Sequence, residues 1–244
     1  MIVTHGCASH VGHVRETNED AHYCGRRVWA VADGMGGHAA SEVASGPAIE
    51  QVRLLDASPG ELDEAAVRDA VAAANAAVLA HTRRHPGTRG MGTTLVGVAR
   101  VGDADGPRLC VFNVGDSRAY RLAHGHLAQV SVDHSEVEEL RALGIITAAE
   151  ARVHPLRNVV TRCLGLPQAP DADTWLVRPR AGDRLLLCSD GLTGEVSDGA
   201  IALVLLTVPD PQEAADALVA AALAAGGQDN VTVVVLDVGG DDAD

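Results

Sequence analysis

The sequence predicts one α+β domain built on antiparallel strands, and three observations carry that prediction. From Thr93 to Val132 successive strand-like runs (Thr93–Val101, Leu109–Val114, Ser117–Leu122 and Leu127–Val132) are separated by short turns such as His124-Gly125-His126. Strands joined so closely pair antiparallel, because parallel pairs need a long crossover. The chain has 244 residues, of which 47% are hydrophobic, which is enough for one core and near the upper limit for one. No linker or low-complexity stretch interrupts it.

In chain order, Ile2 to Ala8 reads as a first strand, and Gly12 to Asp20 as a polar segment. Val28 to Ala32 is short, apolar and closed by Asp33-Gly34-Met35-Gly36-Gly37, which predicts a buried strand turning tightly into a helix from about Ala39 to Leu55. Ser58-Pro59-Gly60-Glu61 has the form of a capping box with an early proline and predicts a second helix from there to about Arg84. Val67, Val71, Ala74 and Val78 recur along that helix at the spacing of a core-facing stripe. After the strand run, Asp133 to Arg162 is polar and helical, with capping boxes at Ser135/Glu138 and Thr147/Glu150 and a Gly144 break, the pattern of a small helical insert on a sheet edge. Trp175–Val177 and Arg184–Cys188 return to strand. A last helix starts at Asp210-Pro211 and ends near Gly226-Gly227, Val231–Leu236 is a final strand, and 239–244 is an acidic tail.

The net charge of −14 and an aromatic content of 2% argue against a nucleic-acid partner, which needs basic grooves and stacking faces. All 19 basic residues are arginine. The five cysteines form no Cys-x-x-Cys pair and are odd in number, so a reducing, cytoplasmic setting is expected rather than a disulfide framework. None has an arginine six residues on, which excludes a cysteine-nucleophile phosphate loop. The longest apolar run, Ala200–Val208, is too short to span a membrane, and the N-terminus has no signal-peptide pattern, so no membrane partner is expected.

Asp33 is the residue around which the rest is organised, and four readings compete for it. Asp-Gly can be a hairpin turn. Gly34-x-Gly36-x-x-Ala39, with Asp56 about where a ribose-binding acid would stand, fits a relaxed dinucleotide fingerprint. The aspartate and the glycine carbonyls could hold a metal, or the helix start could bind an anion without one. The strand-Asp-Gly pattern occurs again at Leu185–Gly191, ending on Asp190. Asp116 and Asp229 also stand at strand boundaries. Buried unpaired carboxylates are costly, and the chain has no lysine to pair with them. A shared cation resolves this, and an all-oxygen donor set favours Mg²⁺ or Mn²⁺. His124-x-His126 reads as a turn.

Several segments together now resemble a known family. They are Arg15-x-x-Asn18-Glu19-Asp20, Ala32-Asp33-Gly34-Met35-Gly36-Gly37-His38, Met91-Gly92-Thr93-Thr94-Leu95 and Asn113-Val114-Gly115-Asp116-Ser117-Arg118. With them go Asp133-His134-Ser135, Thr161-Arg162-x-Leu164-Gly165, Cys188-Ser189-Asp190-Gly191-Leu192 and Asp229-Asn230-Val231-Thr232. In this order they resemble the metal-dependent serine/threonine protein phosphatases of type 2C, in their bacterial form, over residues 1–238. The resemblance implies a four-layer α-β-β-α sandwich of two mainly antiparallel sheets flanked by helices, forming one catalytic domain over 1–238, with a helical flap insert at about 133–162.

It also implies roles. Asp33 would bridge two metal ions, with Gly34 lending its carbonyl to one. Asp190 and Asp229 would ligate the other ion, and Asp116 with Asp190 a third and weaker one. Glu19 and Asp20 match the acidic pair near the second ion, Arg15 the phosphate-binding arginine, and Asn230 a residue supporting the ligands from behind. Two close Mn²⁺ or Mg²⁺ ions can lower the pKa of a bridging water and neutralise phosphoryl oxygens. Arg15 can fork two donors onto the same oxygens. Met35 stands where many eukaryotic relatives carry histidine, which leaves His38 or a metal-bound water to protonate the leaving alkoxide. The implied activity is hydrolysis of phosphoserine and phosphothreonine on proteins by a cytoplasmic monomer, with serine/threonine kinases and their substrates as partners. The rival is a catalytically silent phosphoprotein-binding sensor of the same fold, which loss of a metal acid would favour.

Overall fold

The computed structural model describes residues 1–36, 42–85, 90–102 and 106–240. Strands β1 (Ile2–His10), β2 (Ala21–Cys24), β3 (Val28–Ala32) and β4 (Gly34–Met35) lead into helices α1 (Glu42–Ala57) and α2 (Glu64–Arg84). Next come β5 (Gly92–Thr93), β6 (Leu95–Val101), β7 (Arg108–Val114), β8 (Arg118–Ala123) and β9 (His126–Gln129). The chain continues through α3 (Glu136–Ala142), α4 (Ala148–Val153), β10 (Asp173–Val177), β11 (Arg184–Cys188), α5 (Asp190–Thr193), α6 (Asp198–Thr207), α7 (Pro211–Ala225) and β12 (Val231–Gly239).

The strands form two five-stranded sheets, ordered β1-β12-β11-β8-β9 and β10-β7-β6-β3-β2, plus a β4–β5 ribbon. Every pairing is antiparallel. Trp29, Val31, Val98, Leu185, Leu187, Val234 and Leu236 meet between the sheets. On the outer face of the second sheet Val28, Ala30 and Phe112 pack against Val52, Val67, Val71 and Val78 of α1 and α2. On the outer face of the first, Leu186, Val233 and Val235 pack against Ile201, Ala215 and Leu218 of α6 and α7. This is the four-layer sandwich the sequence implied. Because both faces of each sheet are covered, strands such as β3 and β11 are buried at every residue, and their apolar runs do not alternate as those of a half-exposed antiparallel strand would.

Three expectations need correction. The second helix does not start at Ser58: its N-cap is Asp63, whose side chain accepts the Ala66 N–H at 2.7 Å. The Ser58–Gly60 segment is held out of helix by Arg27, whose guanidinium donates to the carbonyls of Asp56, Ser58 and Gly60 at 2.6–2.7 Å. Asp56 is no ribose acid. Its carboxylate accepts the backbone N–H groups of Arg26, Arg27 and Val28 and the Tyr23 hydroxyl, which with the antiparallel sheets removes the dinucleotide reading. Asp33-Gly34 is neither a hairpin nor an immediate turn into helix. Gly34-Met35 pairs with Gly92-Thr93, while Thr94 bonds the backbone of Asp33 and so separates β5 from β6. The expected start of the first helix at Ala39 and residues 241–244 of the tail lie outside the described residues.

In the segment between β9 and β10, Thr147 and Glu150 form a complete capping box. Ser135 caps α3 alone, because the Glu138 carboxylate turns to Arg141 instead. Gly144, at φ 70°, follows the last residue of that helix cap, a backbone state glycine adopts without penalty. The base of the segment is closed by a bridge between Ser135 and Val160.

Candidate metal centre

Register brings the aspartates to one end of the sandwich. Ala21 pairs with Ala32, Arg118 with Cys188, and Cys188 with Val233. Asp20 immediately precedes β2 and Asp33 immediately follows β3. Asp116 lies in the β7–β8 connection, Asp190 opens α5 directly after β11, and Asp229 lies just ahead of β12. A one-residue Ser189 joint and the short α5 turn Asp190 back over the strand end. Only glycine fits next: a Cβ on Gly191 would lie 1.9 Å from the Asn230 carbonyl oxygen.

The electrostatics of the cluster are those of too many carboxylates in too little water. Burial raises the Asp33 pKa well above the ordinary carboxylate value, and Asp20, Asp190, Asp116 and Asp229 each add to the rise. Burial likewise pushes Asp20 up to about 7, with repulsion from Asp190 and Asp229 and against the Ser189 hydrogen bond. Asp116, 8% exposed, is pushed up to about 8 by burial and then by Asp190 and Asp133. Asp190 is raised by burial and Asp229, while Arg15 and Arg118 pull it down. A bound cation would oppose both the burial penalty and the mutual repulsion behind these shifts.

The backbone around these acids is tied down. The Asp33 N–H donates to Thr94 Oγ1 at 3.0 Å, and its carbonyl accepts from the Thr94 N–H and the Thr93 hydroxyl, both at 2.9 Å. Thr94 Oγ1 is 2.7 Å from Ser117 Oγ, beside Asp116. Asn230 Oδ1 accepts the Glu19 N–H at 2.7 Å, and Asn230 Nδ2 donates to the carbonyls of Val11 and Thr17 at 2.9 Å. The Glu19 carbonyl in turn accepts the Gly34 N–H and the Ser45 hydroxyl. Asn230 therefore fixes the whole 11–19 loop, and with it Arg15. The Arg15 guanidinium is half exposed at the rim and donates to Asp229 Oδ2 at 2.7 Å.

Among the described residues no three Asp, Glu, His or Cys side chains stand together as a finished ligand set; the Asp229 carboxylate faces Arg15. The donor chemistry nonetheless fits a hard cation. Five aspartates from both sheets converge, and Asp20 Oδ1 is buried with no hydrogen-bond partner. His38 lies outside the described residues.

Sequence reasoning gave no role to several residues that shape this end of the molecule. Ser189 is fully buried; its hydroxyl donates to Asp20 Oδ2 at 2.8 Å and accepts the Thr232 N–H at 2.9 Å. Polar Ser189 and Thr232 inside otherwise apolar strand ends were the available signal. His134 is buried, accepts the Gly115 N–H at Nδ1 (2.9 Å) and meets Asp173 through Nε2 (3.2 Å). It thereby steadies the turn carrying Asp116.

The matches to known proteins agree with this geometry. The family model for protein phosphatase 2C matches residues 9–224, and the chain belongs to that family. Among proteins it is similar to, serine/threonine protein phosphatase PstP of Mycobacterium tuberculosis is 44% identical over 239 residues, covering 98% of this chain and 45% of PstP. The chain thus spans less than half the length of that relative. The serine/threonine phosphatase stp of Listeria monocytogenes is 35% identical over 93% of this chain and 92% of its own length. The crystal structure of the PstP catalytic domain in complex with two manganese ions superposes with a TM-score of 0.89 at 41% identity, covering 98% of this chain and 99% of that one.

Proposed function

We propose that this chain hydrolyses phosphoserine and phosphothreonine on proteins, using Mn²⁺ or Mg²⁺ held in the aspartate cluster. The observation that carries the reading is the convergence of Asp20, Asp33, Asp116, Asp190 and Asp229, each of the first four raised in pKa by burial and by its acidic neighbours. Family membership and the two manganese ions of the PstP catalytic domain support it.

In this reading Asp33 and the Gly34 carbonyl would hold one ion. Asp33, Asp190 and Asp229 would hold the other, Asp116 with Asp190 a third, more weakly, and Glu19 and Asp20 would stand as the acidic pair near the second ion. When bound, the ions supply positive charge that makes water a stronger nucleophile near neutral pH and neutralises the phosphoryl oxygens. Arg15 binds the phosphate: its guanidinium is exposed at the rim, and it can exchange the Asp229 carboxylate for phosphoryl oxygens with the same forked geometry. Asn230 orients the loop that carries Arg15. His38 would protonate the departing serine or threonine oxygen, with a water held at the metal site as the alternative donor. A silent sensor would have shed one of these acids, and all of them are present.

The partners are then phosphorylated proteins, including serine/threonine kinases and their substrates, met by a monomer in the cytoplasm. Among the described residues no helix is long and apolar enough to cross a membrane. Phosphate release from a phosphothreonine peptide tests the reading: it should stop in EDTA and return with excess Mn²⁺. Release indifferent to EDTA, or no release with Mn²⁺ and Mg²⁺ present, would overturn it.

A further inference from the structure

The opposite end of the sandwich carries a cavity of about 460 Å³ lined by Arg121, Ala123, His124, Leu176, Arg178 and Arg180, together with Val177. It lies between the β8–β9 turn of one sheet and the end of β10 in the other. In a chain of net charge −14, three guanidinium groups line it and, among the described residues, no aspartate or glutamate does. Arg121 is neutralised from behind: its Nη2 donates to the buried Asp183 carboxylate at 2.6 Å. The same Asp183 oxygen accepts the Arg180 backbone N–H at 2.8 Å, so this carboxylate is used up in building the wall.

The Arg180 side chain is different. Among the described residues it faces no carboxylate, and its Nη1 lies 3.3 Å from His124 Nε2. His124 is in turn the one non-glycine residue with positive φ (52°) among the described residues. That φ belongs to the two-residue His124-Gly125 hairpin turn between β8 and β9, whose geometry requires positive φ at both residues. The turn places the imidazole beside the Arg180 guanidinium.

We infer that this cavity is a second anion site, which takes a phosphate monoester on the protein substrate other than the one being hydrolysed. Planar guanidinium forks match carboxylate and phosphate oxygens alike, and the proposed phosphatase reading selects the phosphate of a substrate that carries more than one. A molecule this acidic otherwise repels a multiply phosphorylated partner. β8 runs from Arg118 beside the aspartates to Ala123 beside the cavity, and at about 3.3 Å per residue that separates the two ends by roughly 17 Å. At least five or six extended residues must therefore lie between the two phosphates. The inference rests on the proposed phosphatase reading but uses none of its residues.

The test compares two fluorescent peptides that carry non-hydrolysable phosphonate analogues of phosphothreonine, one with a single phosphonate and one with a second eight residues away. Anisotropy is read with the Mn²⁺-loaded protein. The doubly substituted peptide should bind at least tenfold more tightly. R178E/R180E should abolish that advantage while leaving single-phosphonate affinity and p-nitrophenyl phosphate turnover unchanged. Arg121 is left alone, because its loss would strand buried Asp183. R180Q alone, which keeps the side chain's reach without its charge, should lose most of the advantage. No advantage in the wild type, or an advantage that survives R178E/R180E, overturns the inference. So does an advantage seen only after truncation at Gly240, which would assign the cavity to the chain's own acidic end. Failure of the phosphatase reading would show separately, as absent p-nitrophenyl phosphate turnover.

Discussion

The Asn230 side chain joins the first residues of the fold to the last strand: its oxygen accepts the Glu19 N–H at 2.7 Å and its nitrogen donates to Val11 and Thr17 carbonyls at 2.9 Å. Asn230 is only 5% exposed, so Asn230→Ala leaves three part-buried backbone groups without this partner. The expected loss is about 2–3 kcal/mol in urea denaturation, since each unsatisfied buried group costs on the order of 1–3 kcal/mol and part of the loss relaxes. KM for a phosphopeptide should rise as well, because the loop carrying Arg15 is released. A stability change below about 0.5 kcal/mol would show that the loop is held by other means.

Asp190→Asn should act in opposite directions on stability and activity. It removes one of the buried charges that repel Asp33 and Asp116, so the variant in EDTA should melt above the wild type. With Mn²⁺ it should lose turnover by about a hundredfold or more and most of the metal-induced rise in Tm. Turnover within about threefold of wild type in the folded variant would remove Asp190 from the ligand set.

Arg15→Ala should leave stability nearly unchanged, because its pair with Asp229 is half exposed and such pairs contribute roughly 0–1 kcal/mol. The phosphopeptide KM should rise while calorimetric Mn²⁺ affinity holds, or improves as Asp229 is freed. An unchanged KM with weakened metal binding would reverse the assignment.

The pH dependence follows from Asp20 at about 7 and Asp116 at about 8, against an ordinary value of 3.8. Both are raised in the fold, so the folded chain holds protons that the unfolded chain has already released. Stability in EDTA should therefore fall as pH rises from 6 to 8. Mn²⁺ favours the ionised carboxylates, so the rise in Tm that it causes should grow across the same interval. Thermal melts at fixed ionic strength check both slopes, and a flat melting temperature in EDTA would mean that these aspartates are ionised without a cation.

The acidic end was legible because its signal is local. A carboxylate directly after an apolar run, with glycine next, marks Asp33 and Asp190 without any knowledge of the fold. The antiparallel pairing was equally visible in the short turns. What could not be seen was contact between distant segments. The Ser58–Gly60 stretch looks like a helix start until Arg27 claims its carbonyls, and Asp56 looks available until three N–H groups arrive from residues 26–28. Ser189 and His134 escaped for the same reason, since their partners Asp20 and Asp173 lie far away in sequence.

The position of β12 has a consequence for how the protein is made. It lies between β1 and β11, so during synthesis the first sheet waits for the strand that joins β1 to β11 until residues 231–239 leave the ribosome. Every strand of the second sheet, from β2 to β10, has emerged by Val177. A nascent chain can therefore hold Asp20 and Asp33 on a nearly complete layer, while β11 presents an open edge on the side that β12 will occupy. Such an edge is a site for mispairing with other chains. Completion of the metal centre and closure of that edge are the same event, because Asp229 and Asn230 arrive on the residues just ahead of β12.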